Sequence, residues 1–151
     1  MMMKMGANPS TFVDTNILLR YLINDFQEHP LIKKEVDDLI YQGHYLWISR
    51  QIIREFATIC TRPQAFMQTL SATQTIAYIV NFTKIFRIAD EDSRVTQALI
   101  QLMQVIPIGG KQIHDANIVA TMQVYQIQNL VTLNLSDFVR FQSHIHLIKI
   151  I

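Results

Sequence analysis

Residues 11–22 read Thr-Phe-Val-Asp-Thr-Asn-Ile-Leu-Leu-Arg-Tyr-Leu, and the rest of the fold is organised around this stretch. It begins with a short run of β-branched and aromatic residues, which is typical of a buried strand. From Ile17 onwards the apolar residues follow helical spacing. Asp14 lies where the strand ends and the helix begins. Its carboxylate could simply cap the helix, or it could bind a ligand at the sheet edge where α/β domains hold their ligands.

The composition indicates one ordinary domain. The chain has 151 residues, of which 50% are hydrophobic and 17% charged, and this is enough to build a core. The formal net charge of +1 excludes a strong overall field toward nucleic acid, so any binding of RNA or DNA would depend on a local patch. The lone Cys60 excludes an internal disulfide and a cysteine zinc cluster, and its helical spacing with Phe56 predicts a buried thiol.

Targeting signals are not recognisable in the sequence. The first residues lack the apolar stretch of a signal peptide. No segment reaches the roughly 20 apolar residues of a membrane helix. We therefore expect a soluble cytoplasmic protein, with residues 1–10 as a flexible N-terminal extension of the single domain.

Strand and helix patterns alternate along the chain. Short apolar runs predict further strands at residues 45–48, 86–88, 129–133 and 144–151. Helical spacing predicts helices at residues 31–42, 50–60, 71–82, 90–105 and 111–122. This order indicates an α/β domain with a central, mainly parallel sheet flanked by helices. The carboxyl ends of its strands would meet at one edge.

Two acidic residues interrupt apolar helix faces. Glu55 lies between Ile52 and Ile59, and Asp115 heads the face that continues with Ile118. A carboxylate among apolar side chains is costly unless it is paired or holds a cation. Glu55 could still pair with a nearby arginine or lysine, and Asp115 could be a first-turn acid that the helix dipole favours.

Acidic residues are therefore expected at one edge of the sheet. Asp14 and the corner at residues 134–137 follow strands, while Glu55 and Asp115 lie on helices that begin beyond strand ends. Clustered carboxylates repel one another unless a cation lies between them, and a set of oxygen ligands favours Mg²⁺ or Mn²⁺ over zinc. Such a site suits phosphodiester hydrolysis. No glycine-rich loop follows the first strand, which argues against a dinucleotide or P-loop site.

The sequence resembles the PIN domain family, and within it the VapC-type toxins. The resemblance rests on four segments in order: Val13-Asp14-Thr15-Asn16, Ser49 with Glu55, His114-Asp115-Ala116, and the run from Thr132 to Phe138. It covers the chain from about Thr11 to the last strand. It implies a PIN-like, Rossmann-like three-layer fold and an endoribonuclease that depends on Mg²⁺ or Mn²⁺.

The resemblance also implies the roles of individual residues. Asp14, Glu55 and Asp115 match the family's acidic residues, with Asp137 as the expected fourth ligand. Thr15, Asn16 and Thr132 would orient the carboxylates, and Asn134 could ligate or orient through its carbonyl oxygen. Toxins of this type form homodimers and bind a small cognate antitoxin, which are the partners to expect besides RNA.

Positively charged residues near the predicted site are candidates for contacting RNA phosphates. These are Lys111, Arg50, Arg54, Arg62 and Arg140. Each could equally be an ordinary solvated charge. Three other functions stay open at this point: a catalytically weak PIN-like module that binds RNA or protein, a housekeeping nuclease of RNA processing, and a metal-dependent hydrolase that acts on DNA.

Overall fold

Strand β1, Ser10–Val13, lies in the middle of a five-stranded sheet in the computed structural model, which describes residues 8–151. The order of the strands is β3-β2-β1-β4-β5, and every neighbouring pair is parallel. The other strands are β2 (Tyr45–Ser49), β3 (Arg87–Ala89), β4 (Asn129–Val131) and β5 (His146–Ile148). The parallel α/β architecture predicted from the sequence is therefore confirmed.

Seven α-helices connect the strands. They are α1 (Thr15–Leu22), α2 (His29–Tyr41), α3 (Arg50–Thr61), α4 (Ala72–Ile85), α5 (Ser93–Val105), α6 (Gln112–Val124) and α7 (Leu135–Phe138). Helix α1 contacts α2 and α3, whereas α6 contacts α5 and α7. Because the chain runs outward from β1 to β3 and then crosses back to β4, right-handed crossovers place these two groups on opposite faces of the sheet.

The order of the strands creates a switch point between β1 and β4. Connections from β1 lead toward β3, and the connection from β4 leads the other way, toward β5. Val13 pairs with Val131 across this point, so the residues that follow the two strands emerge side by side. Open parallel sheets bind their ligands in the crevice beyond such a point, and Asp14 and Thr132 flank it here.

Burial follows the predicted apolar pattern. Phe12, Ile52, Phe56 and Ile118 are at most 2% exposed. Cys60 is a buried free thiol, as its spacing predicted. Within residues 8–151, no helix has the length and apolar character needed to span a bilayer.

Several predicted boundaries differ from the structure, among them those at the two ends of the chain. The extension predicted for residues 1–10 is too long, because Ser10 begins β1 and the carbonyl of Pro9 accepts a hydrogen bond from the amide of Tyr45; residues 1–7 lie outside the described part. The last strand is shorter than the predicted 144–151. The amides of His144 and Ile145 bond to the carbonyl of Phe141 in a turn, which keeps them out of the sheet.

Candidate active site

Asp14 is a buried carboxylate at the end of β1 with three hydrogen-bonded neighbours. Its Oδ1 accepts a hydrogen bond from the amide of Thr15 at 2.8 Å, which caps α1. Its Oδ2 accepts from Thr132 Oγ1 at 2.7 Å and from Asn16 Nδ2 at 3.4 Å. Asp14 is thus a helix cap, as one interpretation of the sequence had it, and its second oxygen faces the end of β4.

Asn16 and Thr132 join the two strand ends at the switch point. Asn16 Oδ1 accepts a hydrogen bond from the amide of Leu133 at 3.1 Å, and Thr132 Oγ1 accepts from the amide of Asn134 at 3.0 Å. The exposed Asn134 begins the turn into α7. These contacts hold the Oδ2 side of Asp14 in one orientation.

Glu55 projects from the second turn of α3 toward the start of α1. Its Oε2 accepts a hydrogen bond from Thr15 Oγ1 at 2.7 Å, and its Oε1 accepts from Gln51 Nε2 at 3.0 Å. No ion pair involves Glu55 within the described chain, so the interpretation that it pairs with a nearby arginine or lysine is not what the structure has. Thr15 therefore connects Asp14 and Glu55, one through its amide and the other through its hydroxyl.

Asp115 completes the acidic group from the first turn of α6. Burial raises its pKa to about 6, with further increases from the negative charges of Asp14, Asp137 and Glu55; Arg140 acts in the opposite direction. Burial likewise raises the pKa of Asp14 to about 6, against the lowering effect of its hydrogen bonds, and the charge of Glu55 adds to the rise. The four predicted acids are thus close enough to influence one another.

The acids face a shared cleft of about 330 Å³. Asp14, Glu55, Asp115 and Asn134 line it, together with Thr15 and Asn16. Asp137 is exposed on the short helix α7 and does not line the cleft. Its negative charge contributes to the raised pKa of Asp115.

The predicted phosphate-binding residues divide into two sets. Arg62 lines both the acidic cleft and an adjoining cleft of about 390 Å³, which Arg54 also lines, and Arg140 lies near enough to lower the pKa of Asp115. Arg50 is exposed and pairs with Asp90 at 3.0 Å, and Lys111 is exposed at the start of α6; neither lines either cleft. The structure brings the first set to the acids and leaves the second at the periphery.

Among known proteins, only solved structures match this protein. No family model and no curated protein sequence matches the chain. Solved structures match over nearly its whole length. They include VapBC2 from Rickettsia felis bound to a promoter DNA fragment (17% identity, TM-score 0.66, 92% of this chain and 97% of that one) and a toxin–antitoxin complex from Klebsiella pneumoniae (17%, 0.65, 93% and 98%). Another is VapC20 from Mycobacterium tuberculosis, a toxin that cleaves the sarcin–ricin loop (18%, 0.56, 80% and 86%).

The chain has the fold of a VapC-type PIN domain. The fold predicted from the four sequence segments is thereby confirmed. At these levels of identity the likeness establishes the fold alone, and any activity depends on the residues in the cleft.

Several residues of this PIN-fold site were not predicted from the sequence. Gln51 is 6% exposed and contacts Glu55, and Arg20 lines the acidic cleft, where its guanidinium donates to the carbonyl of Asn16 at 3.0 Å. Glu91, in the loop after β3, and Asn117, on α6, contact Gln51. A polar residue one helical turn before Glu55, on the buried side of α3, was the available signal for Gln51.

The site has the ligand chemistry of a hard-cation site. Its donors are carboxylate and amide oxygens, which suit Mg²⁺ or Mn²⁺. A carboxylate oxygen that accepts one hydrogen bond keeps a second lone pair for a metal, so the contacts of Asp14 and Glu55 are compatible with ligation. Among residues 8–151, no three Asp, Glu, His or Cys side chains stand close enough together to bind one ion as placed.

Proposed function

We propose that this protein is an endoribonuclease that depends on Mg²⁺ or Mn²⁺ and acts as the toxin of a toxin–antitoxin pair. The observation that carries the proposal is the group of acids at the switch point. Asp14, Glu55 and Asp115 share one cleft, where the charge of Glu55 adds to the raised pKa of both Asp14 and Asp115. Mutual repulsion of this kind is relieved by a cation. The PIN fold supports the assignment.

Asp14, Glu55 and Asp115 would hold the ion from the cleft that they share. Asp137 would contribute from α7, directly or through water, and Asn134 would add its carbonyl oxygen from the lining of the cleft. A bound Mg²⁺ or Mn²⁺ supplies a more acidic water and neutralises charge on a phosphate. Thr15, Asn16 and Thr132 keep the two carboxylates of Asp14 and Glu55 oriented before any ion arrives. Preorientation by such neighbours is typical of metal sites, where ligands are themselves hydrogen-bonded.

The arginines beside the cleft would bind the RNA backbone. Arg62 borders the acids, and Arg54 continues the positive side into the adjoining cleft. Phosphates held there would lie across the acidic cleft, since guanidinium groups bind phosphate through paired hydrogen bonds. Attack of water in line with the 3′-oxygen breaks the P–O3′ bond. The products carry a 5′-phosphate and a 3′-hydroxyl.

The toxin assignment is supported by the proteins that share the fold. They include a toxin–antitoxin complex, VapBC2 and the RNA-cleaving toxin VapC20. By analogy we propose that this chain forms a homodimer, binds a small antitoxin protein and meets both antitoxin and RNA in the cytoplasm. An adjacent small reading frame encoding the antitoxin would support this assignment, and its absence would favour a housekeeping nuclease.

The experiment that tests the proposal maps RNA ends. Purified protein is incubated with total RNA in Mn²⁺ or in chelator, and new 5′-phosphate ends are sequenced. We expect discrete ends that require both Mn²⁺ and Asp14, with Asp14→Asn as the inactive control. Mn²⁺ binding without cleavage of any RNA would contradict the nuclease and favour a binding module with weak catalysis. If the protein neither cleaves RNA nor binds Mn²⁺, the metal-dependent reaction is excluded.

A further inference from the structure

A chain of hydrogen bonds joins Glu91 to Glu55 through two amide side chains. Asn117 Nδ2 donates to Glu91 Oε1 at 2.7 Å and to Gln51 Oε1 at 2.9 Å. Gln51 Nε2 donates onward to Glu55 Oε1 at 3.0 Å and to the carbonyl of His114 at 3.1 Å. The chain thus links residues after β3, on α6 and on α3 to one oxygen of the acidic cleft.

The acceptors in this chain of hydrogen bonds determine how the side-chain amides of Asn117 and Gln51 are oriented. An ionised carboxylate and a backbone carbonyl only accept hydrogen bonds. Asn117 must therefore present its NH₂ group to Glu91, and Gln51 must present its NH₂ group to Glu55 and His114. Every polar atom of the Gln51 side chain then has a partner, as a residue that is 6% exposed requires.

Glu91 also holds the main chain of Gln51. Its Oε2 accepts a hydrogen bond from the amide of Gln51 at 2.7 Å, in the first turn of α3. That amide has no partner inside the helix, because the first four N–H groups of an α-helix have no helical carbonyl four residues before them. Both the backbone and the side chain of Gln51 are consequently tied to Glu91, the latter through Asn117.

We propose that Gln51 is a positioning residue for Glu55, and that Glu91 and Asn117 hold Gln51 in place. The inference rests on the proposed metal-dependent function. Thr15 donates to one oxygen of Glu55 and Gln51 to the other, so the carboxylate is held from both sides. With its orientation fixed, Glu55 loses less conformational freedom when it joins Asp14 and Asp115 around an ion.

The test is a double-variant cycle measured by Mn²⁺ affinity. Gln51→Met keeps the length of the side chain and removes its donors, and Glu55→Gln weakens the ligand. We expect Gln51→Met to lower Mn²⁺ affinity by about 10-fold in the wild-type background. In the Glu55→Gln background it should have little further effect, because the residue through which it acts is already impaired.

Matched controls separate positioning from stability. Gln101→Met makes the same chemical change on the exposed side of α5, outside both clefts, and should leave Mn²⁺ affinity unchanged. All affinities are measured by titration calorimetry well below the melting temperature of each variant. Glu91→Gln should lower affinity less than Gln51→Met and add nothing to it in the double variant. NOEs between the Gln51 amide protons and the Glu55 γ protons report the contact itself.

The possible outcomes differ for this inference and for the proposed function. An unchanged affinity in Gln51→Met, or an equal loss in the wild-type and Glu55→Gln backgrounds, would overturn the positioning role while the nuclease stands. Absence of the NOEs would overturn it as well. A wild-type protein that binds no Mn²⁺ would overturn both proposals together. A loss that depends on Glu55, with the NOEs present, establishes the role.

Discussion

The two ends of the sheet hold clefts of opposite character. At the carboxyl end, Asp14, Glu55 and Asp115 line about 330 Å³. At the amino end, Tyr45, Trp47, Arg87 and Tyr125 line about 560 Å³, and no acidic residue of the described chain is among the lining residues there. The Arg87 guanidinium lies 3.6 Å from the centre of the Tyr45 ring and 5.9 Å from that of Trp47.

The volume of a cleft therefore does not identify the functional site of this protein. The larger cleft holds cation–π and aromatic contacts among Tyr45, Trp47, Arg87 and Tyr125. The smaller one collects carboxylates that repel one another. Helices α1, α3 and α6 begin at the carboxyl end, and their N-terminal dipoles make that end tolerant of acids. Parallel strands with helical crossovers place those helix starts together, so the two ends cannot be equivalent.

The largest expected effect comes from removing the charge of Asp14. We expect Asp14→Asn to lower RNA cleavage by more than about 100-fold, because loss of a ligand should exceed the effect usually seen for the neighbours of ligands. Cleavage of a mapped RNA in Mn²⁺ is the measurement. Asp38→Asn, an exposed acid on α2, is the matched control. If Asp14→Asn cleaves at the wild-type rate, the acids at the carboxyl end are not the catalytic group.

The second-largest expected effect is the stabilisation of the fold by Mn²⁺, which should depend on the acids at the carboxyl end of the sheet. We expect saturating Mn²⁺, near 100 times its Kd, to stabilise the wild type by about 2.7 kcal/mol through mass action. Asp115→Asn should reduce this gain. Melting temperatures with and without Mn²⁺ provide the measurement. An equal gain in the variant would show that Asp115 is not a ligand.

The pH dependence of the free energy of unfolding, measured without metal, should reveal the cost of burying the charged Asp14 carboxylate. Its folded-state pKa of about 6 exceeds the unfolded value of 3.8, so the folded protein holds the proton more tightly. The associated stability is present below about pH 4 and is lost as the pH rises through about 6. We expect Asp14→Asn to be more stable than the wild type by about 1 to 3 kcal/mol at pH 7.

Urea unfolding in chelator from pH 4 to 7.5 measures this difference. The advantage of Asp14→Asn should shrink as the pH falls, because the wild-type carboxyl group is then neutral too. An advantage that stays constant across this range would show that desolvation of the charge is not its cause.

The smallest effect is expected at the amino end. Arg87→Ala removes the cation–π contact with Tyr45 and should cost about 0.5 to 1 kcal/mol of stability. RNA cleavage should not change, since Arg87 lies at the far end of the strands. A large loss of cleavage in this variant would mean that the amino end takes part in RNA binding, and the contrast between the two ends would fail.

Local sequence patterns predicted much of this protein. The change of period at residues 11–22 predicted a strand followed by a helix with Asp14 between them, and β1 and α1 have this arrangement. The alternation of strand and helix patterns along the sequence was enough to predict the parallel sheet. Asp115, at the head of an apolar face, was conspicuous because a carboxylate there is costly. These features depend on neighbours within one or two helical turns, and local sequence reports them directly.

Tertiary structure decided which distant residues meet. Thr132 reaches Asp14 because β4 lies beside β1, and Gln51 receives Glu91 and Asn117 because β3 ends and α6 begins near the start of α3. Likewise the fold brings Arg62 to the acids and pairs Arg50 with Asp90 away from them. A side chain's hydrogen-bond partner depends on the crossing of whole elements. Local sequence therefore specifies the helices, the strands and the positions of the acidic residues, whereas the packing of those elements sets the hydrogen bonds that hold the carboxylates.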